Sequence, residues 1–184
     1  MQRVYLDNAA TTAIRPEVVD EMANVMKNVF GNPSSTHVFG REAKALIELS
    51  RKNIAQRLNV SPAEIYFTSC GTESNNTIIR SCVNDLDVTR IITTDLEHKC
   101  VIESIKDIEY RGKAEVIRLN ILKNGNIDYQ QLEELLKDQS KKTLVSLMHA
   151  NNEIGNLTDV KYISKLCQEN NTLFHTDTVQ TVGH

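Results

Sequence analysis

Four short polar segments hold the residue types from which chemistry could be built. Ser69-Cys70-Gly71-Thr72-Glu73-Ser74 follows an apolar run and opens a helical pattern. Free amides at a helix start, aided by the helix dipole, favour an anion. Gly71 lets backbone approach a phosphate closely, and Thr72 and Ser69 can add hydroxyl donors, although small residues also make routine strand-to-helix turns. Asp95-Leu96-Glu97-His98-Lys99 follows the next apolar run. An imidazole at His98 could stack on a flat cofactor and move protons near neutral pH, or simply cap a helix at the surface. His149-Ala150-Asn151-Asn152-Glu153-Ile154-Gly155 sets two adjacent amides after a third run. Asn both donates and accepts, which suits a phenolic oxygen or a carboxylate, yet Asn also makes Asx turns readily. Asp177, with Gln180 beyond it, follows a fourth run. A carboxylate at a buried strand end is costly unless paired. A protonated pyridine nitrogen would pair with it through a charge-assisted bond of about 1.5–3 kcal/mol; an N-cap for the next turn is the plainer alternative.

The elements that must position these segments alternate. The pattern predicts a short strand at 4–6, a helix from Pro16 to about 29 with Pro at its first turn, and a loop at 31–35 by composition. A long helix then runs to about Leu58, in which Ala43, Ile47, Ser50, Ile54 and Leu58 recur every three or four residues as one buried stripe. Strands are predicted at 65–68, 90–94, 114–119, 144–148 and 173–176, and helices at 72–83, 99–108 and 159–170. An Asn124-Gly125 turn precedes Asp128 and Gln131, which resemble a capping box ahead of Leu132, Leu135 and Leu136. Apolar strands alternating with helices argue an α/β fold with a mainly parallel sheet. Ligands of such sheets collect at the carboxyl ends of the strands, where the four polar segments fall. Phosphate donors, a stacking imidazole, amides and a carboxylate at successive strand ends are the groups that a pyridoxal phosphate site requires.

The bulk properties narrow the field. A chain of 184 residues, 40% hydrophobic and 24% charged, is ordinary for a globular protein. A net charge of -3 argues against a nucleic-acid partner. No apolar run is long enough to span a bilayer, and MQRVYLDNAATT lacks the apolar stretch of a signal peptide, so a cytoplasmic location is expected. Cys70, Cys82, Cys100 and Cys167 show no C-x-x-C spacing. Neither a metal site nor a redox pair is indicated, and mostly buried thiols are expected.

Tyr5-Leu6-Asp7-Asn8-Ala9-Ala10-Thr11-Thr12 is similar to the opening motif of class V aminotransferases. Gly31-Asn32-Pro33-Ser34-Ser35-Thr36-His37 resembles a loop of their cysteine desulfurase branch. The segments from Phe67 to Asn75, Glu97 to Lys99, Met148 to Gly155 and His175 to Gln180 match that family in order and spacing, so the resemblance covers the whole chain. It implies the large domain of the fold type I, PLP-dependent transferase architecture, usually homodimeric. It also implies pyridoxal 5'-phosphate as cofactor and L-cysteine as substrate, with sulfur passed through an enzyme persulfide to an acceptor or iron–sulfur scaffold protein. By this resemblance Thr72 and the Gly71 backbone hold the phosphate, and His98 stacks on the ring and assists proton transfer. Asn152 contacts the ring oxygen and the substrate carboxylate. Asp177 pairs with the ring nitrogen, Gln180 also binds the ring, and Asn32 and His37 approach the substrate. Cys70 stands where many relatives have Gly and does not match the family's sulfur-accepting nucleophile.

The family's Schiff-base lysine, nucleophilic cysteine, substrate-binding arginine and C-terminal small domain have no counterpart in residues 1–184. The expectation is therefore an N-terminal segment with an incomplete cofactor-binding domain, its sheet truncated before the last strands and inactive alone. Truncation, proteolysis and a disrupted gene would all account for it. In that case the strand at 65–68 has no neighbour to pair with, and unpaired edges invite aggregation. The alternatives are a selenocysteine lyase or another class V transaminase, and a non-catalytic interaction or dimerisation fragment.

Overall fold

The computed structural model describes residues 3–183. The chain forms two compact units, Met1–Phe67 and Thr68–His184.

The first unit is helical. Helix α1 (Pro16–Asn28) starts with Pro at its first position and buries none of its residues. Helix α2 (Val38–Leu58) is entered through the loop at 31–37. A Cβ on Gly31 would strike the Phe39 carbonyl, and one on Gly40 would strike that of Ser35, so the loop closes only because both positions are glycine. A 3-10 turn, Pro62–Glu64, carries the full capping box that Ser61 and Glu64 allow and packs against α2.

Two expectations fail in this unit. Residues 4–6 and 65–68 lie in no helix and form no strand, because no other strand bonds to them among the described residues. The Ile65 carbonyl is taken instead by the Arg51 guanidinium, which also lies 4.9 Å over the Phe67 ring. The predicted stripe on α2 has the right spacing, but only Ala43 is buried. Ile47, Ile54 and Leu58 stay 36%, 40% and 49% exposed, because spacing selects a face and only a covering layer buries it.

The second unit is the α/β fold that the alternation predicts. Its elements run α3 (Gly71–Asn84), β1 (Arg90–Thr93), α4 (Lys99–Tyr110), β2 (Glu115–Arg118), α5 (Tyr129–Leu136), β3 (Thr143–Ser146), α6 (Val160–Glu169) and β4 (Leu173–His175). The four strands form one parallel sheet in the order β2-β1-β3-β4. Successive side chains of a strand face opposite sides, and each side has its own core. Ile91 and Leu144 pack with Ile79, Val101, Ile105 and Ile108 of α3 and α4. Ile92 and Val145 pack with Leu132, Leu136 and Ile163 of α5 and α6. Helices on both faces explain why β1 and β3 are buried along their whole length rather than at alternate positions.

The turn at Asn124-Gly125 forms, with Gly125 at φ 81°. Only half of the expected capping box does. Asp128 caps α5 by accepting the Gln131 N–H at 3.1 Å, but the Gln131 side chain reaches the Asn120 N–H at 2.7 Å instead of its own cap. Of the four cysteines, Cys82 and Cys167 are buried, Cys100 is partly buried and Cys70 is exposed. No helix among the described residues is long and apolar enough to cross a membrane.

Candidate functional site

The carboxyl ends of β1, β3 and β4 and the start of α3 meet within the second unit. The ladder continues past the strand ends: Leu147 N–H donates to the His175 carbonyl at 3.1 Å, and His149 N–H to that of Asp177 at 2.9 Å. These bonds hold His149, where the 149–155 loop begins, beside Asp177.

Helices α4, α5 and α6 each begin with a side chain accepting a backbone N–H; α3 does not. Cys70 occupies its N-cap position without a side-chain cap bond. The first-turn carboxylate, Glu73, accepts the Ser69 N–H and hydroxyl, both at 2.6 Å, and these bonds hold its pKa low. Ser69 was expected to offer its hydroxyl to an anion; it is committed to Glu73 instead. The Cys70 thiol lies against the Glu73 amide, which with Ser69 and Thr72 lowers its pKa. Donors of the α3 terminus thus already face a soft, ionisable atom, as an anion cradle does. Thr72 is exposed, and Gly71 is partly buried; a Cβ at Gly71 would come within 3.0 Å of the Val179 side chain.

Asp177 is 7% exposed. Its Oδ2 accepts from Asn75 Nδ2 at 2.8 Å, and its Oδ1 accepts the Val179 N–H at 3.0 Å. The N-cap alternative is therefore realised together with a second partner from α3. Gln180 is partly buried in the turn that follows.

His98 and Asn152 share a cavity of about 290 Å³ that also takes in Asp95, Glu97, Lys99 and Asn151. His98 is the N-cap of α4: its Nδ1 accepts the Cys100 N–H at 3.2 Å and meets Cys100 Sγ at 3.0 Å, which leaves Nε2 outside the capping interaction. Capping through Nδ1 thus leaves the second ring nitrogen of His98 available at this junction. Asn151 makes the Asx turn, its Oδ1 accepting from Glu153 and Ile154 N–H at 2.8 and 2.9 Å, and its Nδ2 donates to the Leu96 carbonyl at 2.7 Å. The turn is thus made by one amide and leaves the other free. Asn152 is exposed, with no hydrogen-bond partner among the described residues.

Asn32 and His37 belong to the first unit. Asn32 Oδ1 accepts the Ser34 N–H at 2.9 Å, and His37 caps α2.

Three residues of the site had no role assigned from sequence. Glu97 is buried, with Oε1 accepting the Met148 N–H at 2.7 Å and Oε2 without a partner. Burial, reinforced by the charge of Asp177, pushes its pKa up to about 8 against the pull of the Met148 amide. Asn75 and His175 flank Asp177. Their signal was periodicity: Asn75 lies one helical turn beyond Gly71, and His175 shares the strand face of Asp177 two residues on.

Residues 4–184 match the aminotransferase class-V family. The chain belongs to this family. It is 43% identical over 185 residues to the cysteine desulfurase IscS of Dictyoglomus turgidum, spanning 100% of this chain and 46% of that protein. It is 43% identical over 183 residues to the mitochondrial cysteine desulfurase of Drosophila melanogaster, across 98% of this chain and 39% of the relative. A solved NifS-like protein superposes with a TM-score of 0.92 at 39% identity, covering 99% of this chain and 50% of that one. A structure described as SspA in complex with cysteine gives 0.89 at 32%, covering 96% and 51%. The class-V chain therefore has the NifS-like fold and spans about half the length of the curated relatives it matches.

The donor set suits the cofactor of this family. The α3 terminus without a side-chain cap and a close-approach glycine suit a phosphate, and a buried carboxylate suits a cationic ring nitrogen.

Proposed function

We propose that this chain supplies the cofactor- and substrate-binding part of a cysteine desulfurase that draws sulfur from L-cysteine. When bound, pyridoxal phosphate supplies an electron sink that weakens bonds at the amino acid's α and β carbons. Thr72 and the Gly71 backbone hold the phosphate. The Asp177 carboxylate, already fixed by Asn75 and Val179, holds the ring nitrogen as a cation. His98 packs on the ring and moves a proton through Nε2, because Nδ1 is tied to Cys100. The Asn152 amide binds the ring oxygen and the substrate carboxylate, and Gln180 adds a ring contact. Asn32 and His37 approach the substrate. These residues bind, orient and shuttle protons; none of them is assigned a covalent step. The sulfur passes to an acceptor or iron–sulfur scaffold protein, and the working enzyme is a cytoplasmic homodimer.

One observation supports this reading above the rest: Asp177 is a buried carboxylate held by two donors at a strand end, level with the uncapped start of α3. A carboxylate there is costly without a cationic partner. The test is titration of the chain with pyridoxal phosphate, followed by cofactor absorbance and induced circular dichroism. Saturable binding with an induced signal, competed by inorganic phosphate, is expected. Binding that is linear, or indifferent to phosphate, refutes the assignment.

A further inference from the structure

Ser146, His175 and Asn75 are given no contact with cofactor or substrate above, yet they join Asp177 in an unbroken line. Asn75 Nδ2 donates to Asp177 Oδ2 at 2.8 Å. Asn75 Oδ1 lies 3.1 Å from His175 Nε2, and His175 Nδ1 lies 2.9 Å from Ser146 Oγ. Ser146, Asn75 and Asp177 are buried, and His175 is partly so. The direction of this line is decided at one end. A carboxylate only accepts, so Asn75 must turn its NH₂ to Asp177 and its carbonyl oxygen to His175. That oxygen also only accepts, so His175 Nε2 carries a proton. Burial depresses the imidazole pKa, with the Asp177 charge pulling the other way, which favours the neutral ring. In the neutral ring Nδ1 is an acceptor, and Ser146 donates to it.

A branch leaves from the same amide. Asn75 Nδ2 also faces Cys100 Sγ at 3.4 Å, and Cys100 Sγ meets His98 Nδ1 at 3.0 Å. His98 Nδ1 already accepts the Cys100 N–H, so it carries no hydrogen and accepts the Cys100 S–H as a second hydrogen bond.

We infer that Ser146, His175 and Asn75 form a one-way donor relay that positions the Asp177 carboxylate for a cationic ring nitrogen, and that Asn75 links this carboxylate through Cys100 to the His98 imidazole. None of the three touches the cofactor; they are positioning residues. Every donor in the line points toward the negative charge, so each bond polarises the next in the same sense and locks the carboxylate rotamer. The purpose of the relay rests on reading Asp177 as the ring-nitrogen partner, but its direction does not.

Two measurements separate these claims. Long-range proton–nitrogen NMR correlation in the cofactor-free chain reports which nitrogen of His175 is protonated. Nε2–H with bare Nδ1 is expected; it should persist in Ser146→Ala and become a mixture of tautomers in Asn75→Ala, which removes the oxygen that fixes it. A proton on Nδ1 in the parent chain overturns the relay. The second measurement is pyridoxal phosphate affinity. His175→Leu and Asn75→Ala should weaken it by about tenfold, as loss of an outer-shell partner commonly does, with inorganic phosphate affinity unchanged. His175→Gln, which keeps a donor toward Asn75, should restore most of it. Far-ultraviolet circular dichroism checks that each variant is folded. Full cofactor affinity in both His175→Leu and Asn75→Ala also overturns the proposal. A parent chain that binds no cofactor yet shows Nε2–H refutes the functional reading and upholds the relay's direction.

Discussion

The Glu97 carboxyl accepts the Met148 backbone N–H at 2.7 Å and so ties the end of β1 to the end of β3. This bond crosses the floor of the candidate site: His98 follows Glu97, and the Asn151-Asn152 loop follows Met148. The other oxygen of the same carboxyl has no partner. A half-bonded buried carboxyl beside Asp177 favours its neutral form.

Glu97 should make stability depend on pH in an unusual sense for an acid. Its pKa rises from the ordinary 4.5 to about 8 on folding. Between those values the folded chain keeps a proton that the unfolded chain has released, so stability is fully present below the ordinary value and drains as pH rises toward 8. The slope is on the order of 1 kcal/mol per pH unit. Glu97→Gln retains an oxygen for the Met148 N–H and removes the titration. Urea unfolding of both proteins between about pH 5 and pH 8 should show the parent losing ground steadily to the variant. Parallel stability profiles would contradict the neutral carboxyl.

The two units should answer truncation differently. Ile91 is 0% exposed between β2 and β3, so Ile91→Ala should cost about 2–5 kcal/mol through lost burial and a cavity. Ile54 on α2 is 40% exposed, so Ile54→Ala should cost less than about 1 kcal/mol. Denaturant midpoints with unchanged slopes would report both. Comparable losses at the two positions would mean that something covers the α2 stripe.

Much of this architecture was legible in the sequence where two signals agreed. Residues 90–93, 143–146 and 173–175 are apolar runs flanked by helical periodicity, and all three are strands. Where one signal stood alone it misled: 65–68 has strand composition, but a strand is a relation to a neighbour, and composition cannot supply the neighbour. The α2 stripe fails for the same reason. At the site, the strand-end location of His98, Asn152 and Asp177 and the helix-start location of Thr72 could be read from the alternation of elements. The roles of Glu97, Asn75 and His175 could not. They depend on hydrogen bonds to residues 51, 102 and 100 positions away, and no local pattern encodes such partners.

Cysteine reactivity should sort by environment. Cys70 is exposed and its thiol is shifted toward the reactive thiolate by the Glu73 amide. Cys167 is buried, and burial pushes its pKa up to about 12; Cys82 is raised by the same cause. Timed alkylation with iodoacetamide, read by peptide mass spectrometry, should label Cys70 first and Cys82 and Cys167 only as fast as the fold opens. Inorganic phosphate should slow the Cys70 reaction if an anion settles on the same amides. Rapid labelling of Cys167 in the folded chain would be incompatible with its place in the core.

Asp177 and Thr72 should divide cofactor affinity between ring and phosphate. Asp177→Asn keeps the size of the side chain and an oxygen for the Val179 N–H, but it removes the charge that a cationic ring nitrogen needs. A charge-assisted hydrogen bond is worth about 1.5–3 kcal/mol, so pyridoxal phosphate should bind about ten- to a hundredfold more weakly, while inorganic phosphate binds as before. Thr72→Val removes a hydroxyl from the α3 terminus and should weaken both ligands together, by about tenfold or less, the value of one neutral hydrogen bond. Isothermal titration of each variant with each ligand separates the four cases. If Asp177→Asn weakened both ligands equally, the carboxylate would be supporting the fold of the site rather than pairing with the ring.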